Sequence, residues 1–191
     1  MVPDQLNRCG WVGNDPIYQA YHDNEWGKPV TDDQTLFEFI VLESAQAGLS
    51  WITILRKREG YRNAFHQFDP TKVASMTADD IDRLSQDPSI VRHRGKIAAT
   101  ISNAQCFLRI AEEFGSFANY YWAFSDNKVI TNHPKTLADV PAVTPLAETI
   151  SKDMKKRGFK FFGPTICYAF MQATGMVDDH LVGCVAKEDS K

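Results

Sequence analysis

The stretch TDDQTLFEFIVLESAQAGLSW, residues 31–51, decides the fold. Its apolar positions Leu36, Phe37, Phe39, Ile40 and Leu42 follow Thr31-x-x-Gln34, a capping-box pattern that starts a helix. Gly48 then stands where a helix-ending C′ glycine belongs. Ser50 is suited to cap a second helix carrying Trp51, Ile54 and Leu55. Two helices thus meet at a tight corner with Leu49 at its tip. The rest of the chain reads the same way, as helices broken by turn residues. Asp69-Pro70 and Thr77-x-x-Asp80 mark further starts. Residues 93–113 place Ile97, Ile101, Ala104, Leu108 and Ala111 at three- and four-residue spacing, which predicts a long helix. Residues 125–145 are rich in loop formers. Another helix fits 146–157, breaks at Gly158, and gives way to one that starts at Pro164 and runs to Gly175. Convincing period-2 runs are absent, so the expected class is all-α.

With 191 residues, the chain is expected to be a single domain over 1–191 with a sizeable core. Its 43% hydrophobic and 24% charged residues exclude a disordered chain and a disulfide miniprotein. No apolar run approaches the ~18 residues of a membrane span. The start, Met1-Val2-Pro3-Asp4-Gln5, lacks the basic and apolar regions of a signal peptide, so a cytoplasmic location is expected. Four cysteines then read as reduced thiols or metal ligands. Heptads are missing, and a monomer is the default.

Formal net charge is −3, yet Arg92, Arg94 and Lys96 bring +3 together. Lys152, Lys155, Lys156, Arg157 and Lys160 against Asp153 bring +4. Taking that +7 out leaves −10 for the remainder. Positive charge confined to two short stretches is the footprint of a nucleic-acid binder, although a solvated helix face carries the same charges.

Four constellations carry candidate chemistry. Cys9 and His22 near one end, with His180-x-x-x-Cys184 near the other, offer a Cys2His2 set. On a helix His180 and Cys184 would share a face, and a closed four-ligand site would be structural and would pin the termini together. Cys106 and Cys167 sit in apolar stretches and suit the core. Trp11, Tyr18, Tyr21 and Trp26 make the N-terminal segment unusually aromatic, with Tyr18, Tyr21 and His22 on one helix face. Glu43 lies on an apolar stripe, which is costly for a carboxylate without a partner or a function. Beside Trp51 it suits a pocket that stacks a flat ligand and hydrogen-bonds its edge. Finally, Lys155-Lys156-Arg157-Gly158-Phe159-Lys160-Phe161-Phe162-Gly163-Pro164-Thr165 runs from a basic helix end through a glycine-bracketed turn into a helix N-terminus, a phosphate-binding arrangement.

Taken together, Arg8-Cys9-Gly10-Trp11, Tyr21 to Gly27, Gln46 to Trp51, Arg92 to Lys96, Lys156 to Phe161, and Asp179-His180 with Cys184 give a sequence that resembles the 3-methyladenine DNA glycosylase I family over about residues 8–184. The resemblance implies an all-α fold of the helix-hairpin-helix glycosylase superfamily, with a structural Zn2+ held by Cys9, His22, His180 and Cys184. It implies that Glu43 is the active-site carboxylate, with Trp51, Tyr21, Tyr18 and Trp11 binding the base. Leu49 falls on the turn that probes the gap left by a flipped base, and Gly158, Lys160, Phe161 and Gly163 on the hairpin that grips DNA. The implied partner is alkylated double-stranded DNA. The implied reaction is hydrolysis of the N-glycosidic bond of 3-methyladenine, without strand cleavage, since no lysine opens the 164–175 helix. Neither Asp178 nor Asp179 receives a catalytic role. A broader alkyl-purine range, a zinc-stapled binding module without catalysis, and a zinc hydrolase are the alternatives.

Overall fold

A computed structural model of the chain describes residues 6–187. The segment Met1 to Gln5, read above for a targeting signal, lies outside the described residues, as do residues 188–191. The described chain is mostly helical: α1 Pro16–Asn24, α2 Asp33–Gln46, α3 Trp51–Arg56, α4 Arg58–Ala64, α5 Pro70–Ala74, α6 Ala78–Leu84, α7 Arg94–Phe114, α8 Phe117–Ala123, α9 Pro145–Lys156 and α10 Pro164–Ala173. Among the described residues no helix is long and apolar enough to cross a membrane.

The central element is α2. Leu36, Phe37, Phe39, Ile40, Val41, Leu42, Glu43, Ser44 and Ala45 are all buried, so the helix is covered on every side rather than along one stripe. It packs against α3, α7, α8 and α10. Its start differs from expectation. Asp32, not Thr31, is the N-cap, with its carboxylate accepting from the Thr35 amide at 2.8 Å. Gln34 does not close a capping box; its side chain donates to the Gln67 carbonyl at 2.7 Å. The end is as expected, since Gly48 has φ +80°, the left-handed region that glycine enters without strain. Pro70 and the Thr77–Asp80 capping box start α5 and α6 where the sequence places them.

Two results correct the all-α expectation in detail. Ile130–Thr131 (β1) and Val177–Asp178 (β2) form a two-residue parallel ladder, too short to produce an alternating pattern. The segment from His180 to Cys184 is not helical, so the shared-face argument fails there. Gly175 (φ +71°) ends α10, Asp178 lies in β2, and Gly183 (φ +81°) belongs to a turn closed by the Cys184 amide on the Leu181 carbonyl at 2.9 Å. The ends of the described chain do meet. Asn7 donates to the Gly183 carbonyl at 2.7 Å, and the Val185 amide donates to the Asn7 carbonyl at 2.7 Å.

Candidate functional site

Because α2 is buried all round, the side chain three residues before its last residue, Gln46, is carried into the core. Glu43 is 3% exposed, and its Oε2 has no hydrogen-bond partner. Burial alone pushes its carboxyl up to about 8 from the ordinary 4.5. Trp51, the first residue of α3, is buried too, and its indole Nε1 is equally without a partner. Tyr21 packs on Trp51 with ring centroids 5.4 Å apart. Tyr18 and Tyr21 both have phenols raised mainly by burial and further by the field of Glu43. Trp11 packs against Tyr18 with ring centroids 5.0 Å apart and planes tilted by 58°. Trp11 and Tyr18 pack together, as do Tyr21 and Trp51, while Trp11 also lines a separate cavity with Trp26, Gln172 and Asp179. A buried indole N–H and a buried carboxylate oxygen left unpaired each cost free energy unless something else binds there.

The α1 face is stapled from outside. Arg58 of α4 donates to Glu25 at 2.7 Å and to Glu38 at 2.6 Å, tying the end of α1 to α2. The sequence reading missed this network, because its members are ordinary charged residues 13 and 20 positions apart with no motif to mark them.

A second cluster lies beyond Trp11. The ligating atoms of Cys9, His22 and Cys184 lie within 4.8 Å of one another, and all three residues are buried. His180 packs edge-on against His22 with centroids 5.1 Å apart. Each imidazole is anchored through Nδ1: His22 on Asp23 at 2.8 Å, His180 on Asp178 at 2.7 Å. Asp23 is itself gripped by Arg8, which holds its carboxyl down at about 2. The Nε2 of His180 is buried with no partner, and that of His22 faces Cys184 Sγ at 3.4 Å. The two thiols and the His22 imidazole, whose ring is oriented by Asp23, form a donor group that could hold a metal ion, while the ligating atoms of His180 fall outside that group and its ring packs beside it. Trp26 closes over it at 4.6 Å from the His180 ring. Asp179 accepts three hydrogen bonds, from Tyr168, Gln172 and Asn132, and is committed to holding α10 to the strand pair.

The basic stretches are only partly free. Arg94 is paired with Asp82, and Lys96 donates to the Ala45 and Ala47 carbonyls. Arg157 bridges Asp153 and Glu113, each at 2.8 Å. Lys152, Lys155, Lys156 and Lys160 are exposed and, among the described residues, form no ion pair. In the turn joining α9 to α10, Gly158 has φ +105°, and a Cβ there would meet Cys106 Sγ at 3.1 Å. The Lys160 backbone is pinned at both amide and carbonyl by Asn103. Phe161 is exposed at φ +55° against His93, and Gly163 caps α10. Leu49 projects into solvent at 42% exposure.

The family model for methyladenine glycosylases matches residues 11–187. The chain belongs to the methyladenine glycosylase family. It is 53% identical to the DNA-3-methyladenine glycosylase 1 of Escherichia coli over 186 residues, covering 97% of this chain and 100% of that one. It is also 53% identical to the DNA-3-methyladenine glycosylase of Haemophilus influenzae, covering 94% of this chain and 97% of that one. Its fold superposes with a TM-score of 0.94 on the 3-methyladenine DNA glycosylase I of Staphylococcus aureus, 43% identical, covering 97% and 99% of the two chains. That structure was described as the basis of 3-methyladenine recognition. This glycosylase is therefore an enzyme, which sets aside the reading of a binding module without catalysis.

Proposed function

We propose that this chain repairs alkylated double-stranded DNA by hydrolysing the N-glycosidic bond of 3-methyladenine, acting on a base flipped out of the helix. The observation that carries the reading is Glu43: a carboxylate on the central helix, walled by aromatic rings, with an unpaired oxygen and no cation of the protein offsetting it. Alkylation at N3 makes the adenine of the nucleotide cationic. Such a base supplies what the pocket lacks, a flat positive ring with donors on its edge. Trp51, Tyr21, Tyr18 and Trp11 stack against it, a cation–π contribution of about 0.5–2 kcal/mol. Glu43 ionises against the base and accepts from its edge, which selects it over neutral adenine.

In the reaction a water oxygen bonds to C1′ of the deoxyribose as the bond from C1′ to the base breaks. The base leaves with the bonding electron pair, now neutral, and the water proton passes to solvent. An abasic site remains. The positive charge is already on the leaving group, so little acid catalysis is required, and extraction of the base costs a few kcal/mol. Leu49 fills the vacated stack, while Gly158, Lys160, Phe161 and Gly163 hold the backbone beside the flipped nucleotide, in the manner of a helix-hairpin-helix. Pro164-Thr165-Ile166 opens α10 without a lysine, so the strand stays intact. Cys9, His22, His180 and Cys184 hold a structural Zn2+ that ties the chain ends together.

The test is chromatographic release of free base from methylated duplex by the wild type and Glu43→Gln. Release of 3-methyladenine by the wild type, sharply reduced in the variant, is expected. Binding of the duplex without release of any base refutes the reading.

A further inference from the structure

Lys96 belongs by sequence to the basic run Arg92, Arg94, Lys96, and a DNA phosphate is the obvious partner for it. Its ammonium is engaged elsewhere. It reaches across from the first turn of α7 to the C-terminal end of α2, donating to the Ala45 carbonyl at 2.9 Å and the Ala47 carbonyl at 2.5 Å. Those carbonyls are among the last of α2, which have no partner inside the helix and sit at the negative end of its dipole. Ala47 is followed by Gly48 at φ +80° and then by exposed Leu49. The Leu49 amide closes this turn on the Gln46 carbonyl at 2.6 Å. No other side chain among the described residues bonds to residues 45–49.

We infer that Lys96 is a positioning residue for base extraction: by clamping the Ala45 and Ala47 carbonyls it fixes the turn that aims Leu49. The inference rests on the wedge role proposed for Leu49. It makes α7 a strut between the helix-end clamp and the α9–α10 turn, since Asn103 of the same helix pins Lys160. Loss of the clamp leaves the turn, among the described residues, with no hydrogen bonds beyond its own short backbone ones.

The experiment measures single-turnover base release by the wild type, Lys96→Met, Lys96→Arg, Leu49→Ala and the Lys96→Met/Leu49→Ala pair. Two substrates are used, one with the lesion fully paired and one with the lesion opposite a gap, where no wedge is needed. Lys96→Met is expected to lose roughly 10- to 100-fold on the paired duplex, the scale of an ångström-level misplacement. It is expected to retain wild-type release on the gapped substrate, which also certifies that the variant is folded. The double variant loses no more than Leu49→Ala alone, and Lys96→Arg recovers part of the rate. The salt dependence of duplex binding is unchanged. A salt slope reduced by about 1 overturns the inference, because Lys96 then contacts phosphate. Equal loss on both substrates overturns it too, because Lys96 then supports the pocket or the fold. If Leu49→Ala itself spares the paired duplex, the wedge reading fails first and the inference falls with it.

Discussion

Replacing Glu43 by glutamine keeps its shape and removes its charge, which makes the burial of this carboxylate measurable without any substrate. The carboxyl ionises at about 8 when folded against an ordinary 4.5. The folded state therefore holds a proton that the unfolded chain releases anywhere between those values. Stability must fall as pH rises through that window, since stability rises with pH only where the unfolded state binds more protons. Each pH unit inside the window is worth about 1.4 kcal/mol, so the whole gap is worth about 5 kcal/mol. Between pH 6 and pH 9 the linkage integral gives about 2–3 kcal/mol, because ionisation of the folded protein flattens the curve above 8. For a chain of this length that is roughly 5–10 °C in melting temperature. Thermal unfolding of the wild type and Glu43→Gln at pH 6, 7, 8 and 9 reads it directly. The stability difference is expected to move by that amount in favour of glutamine as pH rises. A difference that stays flat across this range refutes the reasoning, because it means that Glu43 is solvated or paired in the folded protein.

The same ionisation governs the reaction: kcat/KM of the wild type for methylated duplex is expected to rise with pH and level off near 8, and the residual activity of Glu43→Gln to show no such step. If the proposed zinc is bound, stripping it with a strong chelator, or changing Cys9 to serine, is expected to lower the melting temperature by roughly 10 °C or more, while exchange of zinc for cobalt leaves base release unchanged; a rate that follows metal identity refutes a structural role. Asp179→Asn is expected to cost about 1–3 kcal/mol of stability through its three lost or weakened bonds with base release retained, and loss of release at unchanged stability places Asp179 in the chemistry. Removing Lys155 and Lys156 together is expected to lower the salt slope of duplex binding by about 2; an unchanged slope means that DNA does not reach this face.

What the sequence discloses and what it hides follow from the range of the interactions concerned. Pro70, Pro164, the Thr77–Asp80 box and Gly48 act within one turn of chain, and each marks its helix end correctly. Thr31 and Asp32 are both good caps; Asp32 takes the place through its bonds from the Thr35 amide and hydroxyl, while Gln34, 33 residues from its partner, donates to the Gln67 carbonyl instead of closing a box. The i and i+4 spacing of His180 and Cys184 suggests a helix, but the segment turns at Gly183 (φ +81°) and is bonded to Asn7 and Pro134, partners far away in the sequence. Lys96 reads as a DNA contact because a basic run looks alike whether its charges face solvent or a helix end. Trp26 is visible in the sequence as one more aromatic, and only its edge-on contact with His180 and its parallel packing on His22 tie it to the Cys9–His22–Cys184 cluster.

The stretch that decides the fold also explains why the site needs its ligand. A helix buried on all sides cannot carry a carboxylate without cost, and the neighbouring charges do not relieve it. Arg58 is the cation whose field reaches the adjoining Tyr21, and it is already neutralised by Glu25 and Glu38. The shift of Glu43 comes from desolvation with no opposing cation. Had a lysine or arginine of the protein satisfied it, the carboxylate would stay ionised, the fold would be more stable at high pH, and the pocket would gain nothing from a positive base. On the role proposed for Glu43, the pairing of Arg58 with Glu25 and Glu38 leaves the charge of Glu43 for a cation that arrives with the substrate. On that proposed role, binding would pull a proton off Glu43 below about pH 8, and selectivity for alkylated over normal adenine would rest on a protonation equilibrium as well as on shape.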